Sequence, residues 1–414
     1  MRCMSACMPK PEARVLARLW SRACVLLLCL IVAPLAFAQA VVPRIGVATM
    51  QPGDVFFERF GHNALVVDDP AEPGPLSYNF GFFDPNEPDF VPRFIRGDMR
   101  YRLEALPLAE DLAYYRDVGR GVSIQWLDLD PDQARRMATA LAENALPENA
   151  RYRYDYFTDN CSTRVRDVID VALDGALRSQ LQGRSRGNTY RSDAVRLASP
   201  APWMWLGFDI GLGPAADRPN ALWEDAFVPM RLADALRSAR NVDGRPLVSG
   251  EQVIVPHTQP PEPVERARRI WPWLLAGLVL GASIILVGRT APRVVAVAAL
   301  PLWTLCTVLG GVMLFLWLGS EHVFAWRNHN LLLFNPLCLL LLPGGWRIAR
   351  GRAPGAMFRS VLGLVLLGGV IALFLHWLPV LPQRNAPWLA LLLPVHVALF
   401  WALGRRSDAP PRSH

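Results

Sequence analysis

Residues 152–173 read YRYDYFTDNCSTRVRDVIDVAL, and this stretch decides how the rest of the chain is understood. It predicts a short strand running into a helix, with Cys161 in the first helical turn. Val165, Val168, Ile169, Ala172 and Leu173 fall at i, i+3, i+4, i+7 and i+8, which is one helical face. Thr158, Asp159 and Asn160 are all competent N-cap residues. A thiol at that place lies over unpaired backbone amides and the positive end of the helix dipole, which lowers its pKa and raises its thiolate fraction. A small inert core residue is the other reading of such a cysteine.

The chain has 414 residues, 52% of them hydrophobic, which is too long and too apolar for one ordinary soluble domain. Residues 40–268 have a globular composition, whereas 270–403 are almost free of acids and rich in Leu, Val and Trp. Lys and Arg number 43 against 36 Asp and Glu. Much of that Arg flanks the apolar runs, where positive charge orients membrane segments, so it is not a nucleic-acid signal. Residues 1–38 combine a basic start (Lys10, Arg14, Arg18, Arg22), an apolar run over 23–37 and Ala36-Phe37-Ala38 before Gln39, the pattern of a cleaved signal peptide. An uncleaved anchor is the alternative. Cys24 and Cys29 stand too early for a lipobox.

Residues 39–258 form the exported domain. PGDVFFERFGHNALVVDD predicts a turn, a strand ending near Phe57 and a second strand over 62–67. SYNFGFF, at 77–83, is the next strand, and 84–98 is expected to be irregular. Strands at 101–106 and 122–129 flank a helix at 108–118. Asp130-Pro131 opens a helix to about Ala145, with the Pro placed for the first turn. A strand at 151–157 then leads to the cysteine helix. This order of elements indicates an α+β fold. Residues 176–250 look less regular, with Trp203, Trp205 and Phe208 either anchoring the domain at the bilayer surface or packing as core aromatics. A last strand is expected at 246–256 and a linker at 259–269.

Five apolar segments follow within 270–404, at about 270–288, 294–318, 331–346, 360–381 and 388–403, most of them near the roughly 20 residues needed to cross a bilayer. The third is short and broken by Asn335-Pro336 and Pro343-Gly344-Gly345. With the exported domain outside, the inner loops and the tail at 405–414 carry most of the arginines, which matches the positive-inside rule. Arg266, Arg268 and Arg269 lie on the other side and are discordant. The arrangement is a periplasmic domain on a bundle of about five transmembrane helices in the cytoplasmic (inner) membrane.

Cys161 is the only thiol of the exported domain, so in an oxidising compartment it has no partner there for a disulfide. Of the two histidines, His257 sits in a Pro-rich stretch, which leaves His62 as the imidazole a nucleophilic Cys161 would need. A structural histidine is the alternative. SYNFGFF offers Ser77 and Asn79 on one face, and Asn79 is the group expected to orient His62. The amide of Cys161 is the natural oxyanion donor. Asp159 next to the thiol would raise its pKa and is read as a cap aimed into the amides. Between two spans, Glu321, His322, Arg327, Asn328, His329 and Asn330 cluster on the outer side, either as a functional group or as an ordinary solvated loop. No metal-ligand cluster, phosphate loop or nucleotide motif is present, so no cofactor is expected.

A histidine on an early strand followed by a cysteine on a later helix resembles the circularly permuted, NlpC-like branch of the papain superfamily, to which lecithin retinol acyltransferase belongs. More closely, the chain resembles the Lnb family of bacterial lipoprotein N-acyltransferases, through PGDVFFERFGHNALVV with His62, YNFGFFD, RYRYDYFTDNCSTRVRD with Cys161, the NTYR segment and LGSEHVFAWRNHNLLLFNPL. The resemblance covers both halves. It implies a permuted papain-like domain whose Cys161 takes an acyl chain from a membrane phospholipid as a thioester and passes it to an amine, the N-terminus of a lipoprotein. His62 would act as base. Asn160, Arg164, Tyr190, Arg191, His322 and Asn330 would then bind substrate. The alternative is a periplasmic cysteine amidase or peptidase acting on cell wall or peptides, which needs only one anchor. A non-catalytic scaffold is a third reading.

Overall fold

Alternating side chains in RIGVATM, HNALVVD and LSYNFGF form β1 (Arg44–Met50), β2 (His62–Asp68) and β3 (Leu76–Phe82). With β4 (Arg100–Pro107), β5 (Val122–Leu127), β6 (Arg151–Arg153) and β7 (Val248–Val255), they make one seven-stranded sheet in the order β6-β4-β3-β2-β1-β5-β7. Every neighbouring pair is antiparallel. These elements come from a computed structural model that describes residues 42–404; the expected signal peptide at 1–38 and the tail at 405–414 lie outside the described residues.

The period of two sorts the strands onto two faces. Ile45, Val47, Leu65, Val67, Tyr78 and Phe80 face one core, which helices cover. These are α3 (Pro131–Asn144), through Met137 and Leu141, and α4 (Cys161–Ala172), through Val165 and Ile169. Ala48, Met50, Ala64, Val66 and Ile124 face the other side, against Leu112 and Tyr115 of α2 (Leu108–Asp117). A one-residue slip of β2 would exchange these two sets, so its register with β1, from Met50 opposite His62 to Arg44 opposite Asp68, is strongly specified.

Three stretches differ from the sequence expectation. The strand expected to end near Phe57 does not form: β1 stops at Met50, Pro52 and Gly53 interrupt the ladder, and residues Phe56–Glu58 form one 3-10 turn. Residues 84–98 are not wholly irregular but hold α1 (Phe90–Arg96), whose Pro92 sits in the first turn, where no amide donor is required, and whose end is closed by Gly97 at φ +80°. Residues 176–250 are mostly helical: α5 (Ala176–Leu181), α6 (Tyr190–Ala198), α7 (Pro202–Gly211), α8 (Leu222–Asp225) and α9 (Pro229–Ser238). These helices are short, α7 and α9 starting on prolines and α6 on a Thr189–Ser192 capping box, so no long apolar period marks them in the sequence.

The membrane half contains α10 (Trp271–Thr290), α11 (Pro292–Leu318), α12 (Leu342–Ala349), α13 (Phe358–His376) and α14 (Ala386–Gly404), with five candidate spans by length and apolarity. The third span, His329–Ala349, is broken as its prolines predict: 3-10 turns at His329–Leu332 and Pro336–Leu341 precede α12.

A buried polar joint binds the two halves. Asp209, near the end of α7, is 1% exposed, pairs with Arg268 and accepts from Trp388 Nε1 at 2.7 Å. The discordant Arg268 therefore has a structural partner. Arg191 is 2% exposed and pairs with Asp217 at 2.9 Å, while its remaining donors reach the carbonyls of Asp209, Leu212 and Gly213. Asn328 and Asn330 both donate to the carbonyl of Ile210, at 2.7 and 3.0 Å. Removing one partner of a buried pair leaves an uncompensated charge, so Arg191→Ala is expected to cost ~3–5 kcal/mol, seen as a lower melting temperature of the detergent-solubilised chain. Arg191→Leu combined with Asp217→Leu should recover only part of it, because three carbonyls still lose their donor.

Candidate active site

The site forms where β2 and β3 end against the N-terminus of α4. Asn160 caps that helix: its side chain accepts from the Thr163 amide at 2.9 Å, and Thr163 Oγ1 accepts from the Asn160 amide at 2.7 Å. The cap fixes the first turn and with it Cys161, which is partly buried and carries no disulfide. Ser162, the next residue, is fully buried and lies 2.8 Å from Asn63 Oδ1 and 2.6 Å from the carbonyl of Ala226. The α4 helix is thus bolted to the start of β2, the strand that carries His62.

Cys161 and His62 face each other closely enough that each shifts the other. Burial works against the thiolate, but the His62 charge and hydrogen bond, with the backbone amides of Asn63 and Ser162, outweigh it and hold Cys161 below the ordinary thiol value. Burial likewise works against the imidazolium, and Cys161, Asn79 and the more distant Asp111 together raise His62 above its ordinary value. The two shifts favour a thiolate–imidazolium pair.

A relay on the α2 face of the sheet orients the imidazole. Asn79 Oδ1 lies 2.9 Å from His62 Nε2. On its other side Asn79 Nδ2 donates to Asp111 Oδ2 at 3.0 Å and to Ser77 Oγ at 3.1 Å, while Ser77 Oγ donates to Asp111 Oδ2 at 2.7 Å. A carboxylate only accepts, so the amide must turn its NH2 to Asp111 and its oxygen to His62. Nε2 then carries the proton, which leaves Nδ1 for the thiol.

An aromatic wall closes the other side. Gly81 lies in a β-bulge of β3 at φ +90°; a Cβ there would stand 3.4 Å from the Tyr154 ring and 3.7 Å from Cys161 Cβ. The Tyr152 hydroxyl is buried near the same point without a hydrogen-bond partner. Burial raises the pKa of both tyrosines, so each is a neutral donor.

Among the residues expected from sequence, Cys161, His62 and Asn79 come together; most of the others have structural employment. Asn160 is the helix cap, its amide nitrogen held by the carbonyls of Tyr156 and Phe227. Tyr190 packs among Phe157, Phe227 and Phe324. Arg191 and Asn330 belong to the buried joint and offer a substrate no free donor. His322 Nδ1 lies 2.8 Å from the Tyr156 hydroxyl and Nε2 lies 3.0 Å from the Phe94 carbonyl; burial lowers its pKa, so it is a neutral clamp between the two halves. Arg164 is paired with Asp159 and lies 4.2 Å over the Tyr152 ring, beside the site. Asp159 therefore faces Arg164 and is not the cap. His257 Nδ1 accepts from the Gly121 amide at 3.0 Å and is far in sequence and role from the pair.

Asp111 escaped the sequence reading because an acid in the first turn of a helix is ordinary. Its signal was there: it falls beside Leu112 and one turn before Tyr115, on the face that packs against the sheet. Among the described residues, no group of His, Cys, Asp or Glu is placed to hold a metal ion.

An α+β domain presenting a thiol–imidazole–amide relay on a five-span membrane base defines the class of protein. The model of the Lnb N-terminal periplasmic domain matches residues 42–198, and that of the Lnb transmembrane domain matches residues 269–404. The chain belongs to the Lnb family, as a membrane protein with a periplasmic domain. No curated protein and no solved structure matches it.

Cys161 held below its ordinary value and His62 held above its own both favour the ion-paired form over the neutral one. Alkylation of Cys161 by iodoacetamide should therefore proceed well below the ordinary thiol pKa of about 8.5. In His62→Ala the midpoint of the rate–pH profile should move upward, since burial still opposes the thiolate and its main counter-charge is gone. Asp111→Ala should leave the thiol reactive but lower turnover about 10- to 100-fold by freeing Asn79 to rotate.

Proposed function

We propose that this chain is a membrane-bound thiol acyltransferase that moves an acyl chain from a phospholipid, through a Cys161 thioester, to the N-terminal amine of a lipoprotein. The observation that carries this reading is the Cys161–His62–Asn79–Asp111 relay mounted on a multi-span membrane domain of the Lnb family. The order of histidine on an early strand and cysteine on a later helix supports a permuted papain-like assignment. The loop arginines support placement in the cytoplasmic membrane with the site on the periplasmic side.

In the first half-reaction the Cys161 thiolate attacks the ester carbonyl, forming the C–S bond. The glycerol oxygen leaves with its electron pair and takes the proton from His62, giving the thioester and a lysolipid. In the second, the neutral amine attacks the thioester, His62 takes one amine proton, and the thiolate departs as the amide forms. The Cys161 amide at the head of α4 and the unpartnered Tyr152 hydroxyl are suited to meet the charge on the carbonyl oxygen in both steps. No resident cofactor is called for. Asp111 and Ser77 act through Asn79 and do not touch the reacting atoms.

Intact-mass measurement of the purified chain after incubation with phospholipid vesicles tests this directly. The expected result is a mass increase equal to one acyl group, removed by hydroxylamine and missing from Cys161→Ala. Release of peptides from cell-wall fragments without such an adduct would move the assignment to an amidase. A thiol inert to both lipid and iodoacetamide would end the enzyme reading.

A further inference from the structure

Two apolar segments of the periplasmic domain are left largely exposed. Residues 55–57 are Val-Phe-Phe, and Phe57 is 58% exposed. The α1 helix, FVPRFIR, buries none of its residues; Val91 and Ile95 are 59% and 49% exposed. Trp203 of α7, 67% exposed, stacks on Phe56 at 5.8 Å. A contiguous exposed apolar patch of this kind marks an interaction surface.

The patch is continuous with the site. Phe57 meets Phe83 edge-on at 5.4 Å, and Phe83 stacks on Phe90 of α1 at 5.6 Å. Inward, Phe83 stacks on Tyr101 at 4.9 Å, Tyr101 packs on Tyr154 at 4.5 Å, and Tyr154 is the ring against Gly81, next to Cys161. A chain of aromatic contacts thus runs from Phe90 of α1 to Tyr154, which lies against Gly81 beside Cys161.

The patch is also fixed at the level where a span ends. The Glu321 amide donates to the Arg96 carbonyl at 2.7 Å, and His322 Nε2 bonds the Phe94 carbonyl, so α1 is tied to the loop that directly follows α11. Gly97 permits this approach, since a Cβ there would lie 3.0 Å from the Glu321 backbone carbon. The apolar medium continuous with the end of a membrane span is the bilayer, and Arg96 on the same helix can extend to the headgroup level.

We propose that residues 55–57, α1 and Trp203 form an apolar lip that enters the outer leaflet and leads one acyl chain of a membrane lipid along the Phe83–Tyr101–Tyr154 wall to Cys161. Insertion of the lip stands by itself; delivery of the chain to sulfur rests on the acyltransferase reading.

The full chain, with Cys161→Ser, carries a nitroxide on a cysteine at position 91, 95 or, as a control at the far end of α4, 171, and is reconstituted into phosphatidylcholine–phosphatidylglycerol vesicles. Cys161→Ser protein without an added cysteine, treated with the same spin-label reagent, gives the background from Cys306 and Cys338. Labels at 91 and 95 should collide more with oxygen than with a water-soluble nickel chelate, and the label at 171 should show the reverse. Water-like values at 91 and 95, or spin–spin broadening that marks a second copy seated there, would overturn the lip. In parallel, Ile95→Asp should lower thioester loading from vesicle lipid by about tenfold or more, because a carboxylate is costly at membrane depth. Its rate of Cys161 alkylation should stay unchanged. Undiminished loading would overturn the acyl path. Labels in the bilayer with no loading of the wild type would keep the lip and end the acyltransferase reading instead.

Discussion

A thiolate and an imidazolium set partly out of water destabilise a protein unless each finds compensation, and around Cys161 and His62 the fold supplies it from several directions. The sulfur receives the imidazole and the amides of Asn63 and Ser162. The imidazole gives its second N–H to Asn79, and Asn79 is held by Asp111 and Ser77. These groups come from four elements, so the pair exists only when β2, β3, α2 and α4 are all in place. Ser162 shows how tightly this is imposed: it sits one residue after the thiol and reaches Asn63, one residue after the imidazole, at 2.8 Å.

The same constraint explains the two-sided sheet. One face must pack α4 so that its N-terminus arrives at the strand ends; the other must pack α2 so that Asp111 comes under Asn79. The antiparallel pairing of β2 with β3 supplies the crossing point, and the bulge at Gly81 bends β3 where a side chain would crowd the sulfur. The membrane half contributes through the joint. Asp209, Asp217 and Arg191 are nearly inaccessible, and a joint built of buried charges with fixed partners resists rocking, since any displacement strands a charge.

Legibility in the sequence followed the range of the interactions. The cysteine helix, His62 at the head of β2 and Asn79 on the next strand could be read because each obeys a local period or cap rule. So could the five spans and the break in the third. The role of Asp111 was hidden because its meaning depends on a contact 32 positions away with Asn79. Arg191, Tyr190 and Asn330 stood out as polar residues in suggestive motifs, yet their burial is decided by tertiary packing between the halves. Arg268 was discordant by charge rules and makes sense only with Asp209 in view. The α1 helix was unreadable for another reason: it is a seven-residue apolar helix that buries none of its residues, a combination that in water alone would not be worth forming.

That last point bears on why such a site stands on a membrane at all. A dry, aromatic-walled approach favours apolar cargo and excludes water, and water is the competing nucleophile for any thioester. A soluble hydrolase gains nothing from excluding it. A transferase must keep the thioester intact until an amine arrives, and an approach filled by an acyl chain and walled by Phe83, Tyr101 and Tyr154 would do that. In the proposed scheme the lipid would enter from the leaflet and load the sulfur, and its chain would occupy the apolar route. Under that scheme the acceptor would come in from the aqueous side of α4, past the Arg164–Asp159 pair. A second substrate approaching by the same lip would have to displace the chain it is meant to receive.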